Sequence, residues 1–135
     1  MTEIRQFGPA TSHLLKRVGT RGLSAAVIQL PVSMLAQVGR EKLAERYGGL
    51  PVLLDQPTAV VALTFAPQGE MDEHDAEHDI LFIVVGGSGF VRVGGPTAAT
   101  LAVKAGDAIH WPPHVLHKAW TTDDAMQAIS IEYTA

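Results

Sequence analysis

Glu70-Met71-Asp72-Glu73-His74-Asp75-Ala76-Glu77-His78-Asp79 runs without a break into Ile80-Leu81-Phe82-Ile83-Val84-Val85, and Gly86-Gly87-Ser88-Gly89 follows. A dense acid and histidine run is thus joined directly to a segment that is apolar at every position. Such a segment has to be covered on both faces, as a strand inside a packed β structure is. Three readings of the polar run compete: a metal site at the mouth of a barrel, a solvated acidic loop, and a structural entry into the strand. The glycine-rich stop resembles a nucleotide loop only superficially. No helical pattern follows it, so a tight turn is expected at 86–89.

Outward from this stretch the texture is that of short strands. Residues 52–54, 59–65, 80–85, 90–93, 100–103, 108–111 and 128–133 are rich in β-formers and separated by Gly, Pro and Asp clusters. That spacing predicts an all-β sandwich or barrel. Towards the N-terminus, residues 1–20 read as irregular cover and residues 23–30 as a short strand or an apolar helix stopped by Pro31. Residues 33–47 are the best helix candidate: Ser33 can cap it, Leu35, Val38, Leu43 and Tyr47 recur near helical spacing, and Gly48-Gly49 ends it. The expected organisation is therefore an N-terminal extension over 1–50, with a short helix packing on a barrel formed by 51–135. Covering the outer face of residues 80–85 calls for that helix or a second subunit, so a homodimer is expected.

Composition narrows the function classes. The chain has 135 residues, 47% of them apolar and 18% charged, which fits one compact domain. A net charge of −4 argues against a nucleic-acid surface. No apolar run is long enough for a membrane helix, and the N-terminus lacks a signal-peptide core. The absence of cysteine removes disulfides, thiolate metal sites and a cysteine nucleophile. A cytoplasmic location is expected, with no nucleic acid and no membrane as partner. Arg92 is the only Lys or Arg between Arg46 and Lys104, so the middle of the chain is acidic.

A second motif lies in Gly106-Asp107-Ala108-Ile109-His110-Trp111-Pro112-Pro113-His114-Val115-Leu116-His117. It reads as a turn, a short strand and a proline-stiffened corner that holds the following histidine in place. Here the chain resembles the cupin superfamily. Gly106, Pro112 and His117 match the family's second motif, while His114 replaces its glycine and Thr121 its asparagine. In the first motif, counting back from Gly87 puts Ile80 at the usual glutamate, Ala76 at the second histidine and His74 at the first. Gly69 misses the leading glycine by one place. The resemblance covers roughly residues 59–133 and implies a cupin-like jelly-roll β-barrel, often dimeric and often metal-binding.

Carried over residue by residue, the resemblance keeps only His74 and His117 of three histidines and a glutamate. His78 is the natural replacement, because His74, Ala76, His78 and Ile80 share one face of an extended chain. The expected metal ligands are therefore His74, His78 and His117, holding a divalent transition metal (Zn, Fe, Ni, Cu or Mn). The acids would then face water, one of them orienting a histidine. A one-residue slip would instead bring Asp79 into the cavity. His110 is expected to pack, His114 to sit in a loop at the mouth, and His13 to lie on the surface. Trp111, Trp120, Phe82 and Phe65 are core or pocket lining. The resemblance implies a small-molecule ligand, and leaves open a metal-dependent dioxygenase, an isomerase or lyase, and a non-catalytic barrel with a degraded metal site.

Overall fold

The structure is a computed structural model that describes residues 12–29 and 59–133. The helix expected at 33–47 and the strand expected at 52–54 lie outside these residues. Among the described residues every regular element is a strand: β1 (His13–Leu14), β2 (Arg21–Gln29), β3 (Ala59–Glu70), β4 (Asp79–Val93), β5 (Thr100–Lys104), β6 (Ala108–Trp111), β7 (His117–Trp120) and β8 (Met126–Tyr133). No helix among them is long and apolar enough to cross a membrane.

All pairings are antiparallel. β3 pairs with β8, β8 with β4, β4 with β7, and β7 touches β3 through Glu70 and Trp120, so the sheet closes on itself as a barrel. β2 lies along β3 from Arg21 to Gln29, with β1 beyond it. His13–Leu14 and Arg21–Gln29, which precede the expected barrel boundary, are thus strands of the same sheet, and of the ambiguous segment at 23–30 residues 23–29 lie in a strand.

Alternation decides what faces inward. Ala59, Val61, Leu63 and Phe65 of β3 are buried with Ile80, Phe82 and Val84 of β4 and Leu23, Ala25 and Val27 of β2. Phe65 meets Phe82 edge to face at 6.3 Å, and Phe82 stacks on Trp111 at 4.5 Å. Burying each such side chain contributes roughly 2–3 kcal/mol. The outer row of β4 is Leu81, Ile83 and Val85; the first two are half-buried and Val85 is 53% exposed.

The turn expected at 86–89 is not there. β4 is one strand of 15 residues, bent by a bulge between Val84 and Gly86. Before the bulge it lies between β6 and β8, and after it between β5 and β7. The glycines serve this change of partners. A Cβ on Gly87 would lie 1.9 Å from the Ala125 carbonyl oxygen, and one on Gly89 2.6 Å from that of Trp120. Only side-chain-free backbone lets the β7–β8 connection cross so close to the strand.

Candidate functional site

The core side chains thin out at one end of the barrel and leave a cavity of about 340 Å³. Its walls combine Leu23, Val61, Leu63, Met71, Ile80 and Trp111 with the polar groups His74, His78, His117, Ser130 and Glu132; Arg17 and the acids Asp72, Asp75 and Glu77 join them.

His74 and His117, far apart in sequence, are pinned opposite one another. The His117 amide donates to the His74 carbonyl at 2.8 Å, and the His74 amide returns the bond at 3.2 Å. Directly opposed residues project to the same side, and the two imidazoles meet edge to face with ring centroids 4.6 Å apart. Trp111 stacks on His117 at 4.0 Å. A column Phe82–Trp111–His117–His74 therefore runs from the core to the cavity.

The two imidazoles differ in environment. His74 Nδ1 lies 2.7 Å from the Asp72 carbonyl. A carbonyl only accepts, so Nδ1 carries the proton and a neutral ring keeps Nε2 bare. His117 is 1% exposed, and neither ring nitrogen makes a well-formed hydrogen bond. Burial, reinforced by the neighbouring His74, pushes its pKa down to about 4, while the Val115 carbonyl and the Asp75 and Asp72 carboxylates only partly oppose this. His117 is consequently a neutral imidazole at physiological pH, able to donate one hydrogen bond and accept one. The indole nitrogen of Trp111 is also buried without a partner. Orphaned polar atoms gathered at one cavity wall mark a place where a ligand can supply what is missing.

Asp72 ties the site to the N-terminal segment. Its carboxylate lies 3.0 Å from Arg17 and accepts from the Thr20 hydroxyl at 2.8 Å, while the Asp72 amide donates to that hydroxyl at 3.0 Å. Of the other acids in the run, Glu73 pairs with Arg92 at 3.0 Å and Glu70 lies 3.6 Å from Lys118. Asp75 and Glu77 are exposed at the cavity mouth. The orienting partner of His74 is thus a backbone carbonyl, with the Asp72 carboxylate 3.6 Å away.

The strand register is the one with Ile80 inward. Asp79 turns out of the cavity and lies 2.7 Å from His110 Nε2, which overturns the slipped register and places His110 in a surface pair instead of the core. His78 lines the cavity but is exposed, in a bend before β4. Among the described residues, no three His, Asp or Glu side chains converge closely enough to hold a metal ion. With Ala76 and Ile80 standing where the resemblance puts two ligands, the donors as arranged do not fit the family's four-ligand centre. His13 is exposed, as expected, and His114 is exposed in the turn that follows β6.

Sequence reasoning missed Glu132. It faces the cavity because Met126, Ala128, Ser130 and Glu132 alternate along the inner face of β8. The signal was hidden by Ile129 and Ile131, which make the opposite parity look like the core. The backbone records two other departures. Gln68 and His114 are the non-glycine residues with positive φ, 61° and 62°, among those described. They occupy the places where the two cupin motifs have glycine, the residue this conformation favours.

Comparison with known proteins agrees with this geometry. The family model described as "Cupin domain" matches residues 61–132. A Cupin 2 conserved barrel domain protein from Salinispora arenicola is similar at 20% identity and a TM-score of 0.68, covering 100% of this chain and 91% of its own. A cupin-like protein from Thermotoga maritima gives 17% identity and a TM-score of 0.65, covering 99% and 83%. A DMSP lyase structure gives 15% and 0.62, covering 84% of this chain, which spans 48% of the lyase chain. These likenesses concern the fold alone. No curated protein matches the sequence. With more than half its length matched by the family model and both motifs placed around one cavity, the chain belongs to the cupin family.

Proposed function

We propose that this cupin binds a small organic molecule in its barrel cavity, with the His74–His117 imidazole pair as the polar end of the site. The observation that carries the reading is His117: fully buried, unpartnered at both nitrogens, and on the wall of a cavity of about 340 Å³. Burying an unsatisfied polar group costs about 1–3 kcal/mol. A ligand that satisfies it recovers that cost on binding, while the apolar walls exclude water from the contact. We take the protein to be a homodimer, because the outer face of β4 presents Leu81, Ile83 and Val85 together, and place it in the cytoplasm on the strength of its cysteine-free sequence.

The test is a titration of isotopically labelled protein with a library of small polar fragments, followed through the Trp111 indole and cavity amide signals. Hits that shift these signals in wild type but not in His117→Phe support the reading. A library that leaves the cavity signals unmoved refutes it.

A second reading keeps a divalent metal on His74, His78 and His117. The fixed tautomer of His74 favours it, since Nδ1 bonded to a carbonyl leaves Nε2 in ligating form. Element analysis of untagged protein after soaking with each metal decides it. Stoichiometric metal that is lost in His78→Ala supports this ligand set; full retention in that variant rules it out.

A further inference from the structure

Asp72 is held by residues outside the span 61–132 matched by the family model, and its own backbone holds His74. Met71 and His74 are docked on β7, through the Met71 amide to the Ala119 carbonyl at 3.0 Å and the His74 amide to the His117 carbonyl at 3.2 Å. Asp72, between these anchors, is secured by the N-terminal segment. The Thr20 hydroxyl donates to its carboxylate at 2.8 Å and accepts from its amide at 3.0 Å. The Arg17 guanidinium lies 3.0 Å from the same carboxylate. A turn joins the two partners, the Thr20 amide donating to the Arg17 carbonyl at 3.0 Å. Gly19 within it, at φ +86°, passes so close that a Cβ there would lie 3.2 Å from the Asp72 Cβ. The Asp72 carbonyl in turn accepts from His74 Nδ1 at 2.7 Å.

The hydrogen bond made by one ring nitrogen of a histidine sets which nitrogen carries the proton. In a free neutral histidine the proton rests mainly on Nε2, so the Nδ1–H form at His74 has to be imposed by its surroundings. We propose that Thr20 and Arg17 are positioning residues for the cavity: by fixing Asp72 they hold His74 in the Nδ1–H tautomer, which leaves its Nε2 an acceptor instead of a donor. A ligand that bonds this ring then has to donate to it. That consequence rests on the reading that the cavity binds a small organic molecule; the tautomer itself does not. Thr20 is the stronger of the two holds. Its bonds to Asp72 are reciprocal and partly buried, whereas the Arg17 side chain is 41% exposed, where an ion pair adds little.

The experiment reads the His74 ring directly, by long-range proton–nitrogen correlation spectra of labelled protein dialysed against a chelator, at about pH 8, where an ordinary imidazole is neutral. His74→Gln identifies the signals. Wild type is expected to show the Nδ1–H pattern. Thr20→Val, which keeps the shape and removes the hydroxyl, is expected to lower the ratio of Nδ1–H to Nε2–H roughly fivefold, the size of one ordinary hydrogen bond. Thr20→Ser is expected to restore the ratio, and Arg17→Ala to lower it about twofold. A merely structural contact would lower the melting temperature and leave the tautomer where it was. A wild-type ring protonated at Nε2 overturns the assignment, as does an unchanged ratio in folded Thr20→Val. If Thr20→Val does not fold, an unchanged ratio in Arg17→Ala overturns it instead. No ligand enters these measurements, so their failure leaves the small-molecule reading to its own titration.

Discussion

Replacing His117 by phenylalanine tests the central physical claim about the site, that a neutral imidazole is buried there at a cost. In the folded protein its pKa is about 4 against an ordinary 6.5. Between these values the unfolded chain holds a proton on this residue and the folded chain does not. Stability therefore rises with pH across the window, is fully present above pH 6.5, and is lost as pH falls through 4. The difference corresponds to about 3 kcal/mol. Phenylalanine keeps the stack on Trp111 and removes the two unpartnered nitrogens, so His117→Phe is expected to be about 1–2 kcal/mol more stable at pH 7. The assay is urea unfolding of both proteins at intervals from pH 4 to pH 7.5. The ordinary carboxylates titrate in both, and subtracting one curve from the other isolates His117. The stability of the variant relative to wild type should grow by about 3 kcal/mol as pH falls from 6.5 to 4. A flat difference curve, or a variant less stable at pH 7, would refute the buried neutral imidazole.

Six further substitutions probe the scaffold that holds the site. Gly87→Ala drives a methyl into the Ala125 carbonyl and should cost more than 3 kcal/mol (on the order of a buried backbone clash), whereas Gly106→Ala, with open space around its Cβ and φ of +100°, should cost only about 1–2 kcal/mol; paired denaturation curves check the contrast. Thr121→Val removes a buried hydroxyl that donates to the Ala66 carbonyl and accepts from the Gly69 amide at 2.9 Å, so a loss of about 2 kcal/mol in chemical unfolding is expected. Gln68→Gly and His114→Gly relieve a left-handed backbone and should each be neutral to stabilising by about 1 kcal/mol, while His114→Val should lower the melting temperature.

The sequence by itself determined the class of fold and named His74, His78 and His117, all of which line the cavity. Regular alternation and Gly and Pro punctuation are local properties, and they were enough to expect an all-β sandwich or barrel; the resemblance of two motifs to the cupin pattern added the barrel type and His74 and His117. Tertiary structure decided the rest, because parity is ambiguous wherever both faces of a strand are apolar. Ile129 and Ile131 offer as plausible an inner face as Met126 and Ala128, and only pairing with β3 and β4 turns Glu132 toward the cavity. The same holds at 86–89, where glycines that read as a turn instead thin one long strand so that a neighbouring connection can cross it. The acidic run changed meaning in the same way: Asp72 and Glu73 are tied to Arg17 and Arg92, partners that no local pattern could identify. Whether a side chain faces the cavity depends on which strands lie beside its own, and those partners are distant in the chain.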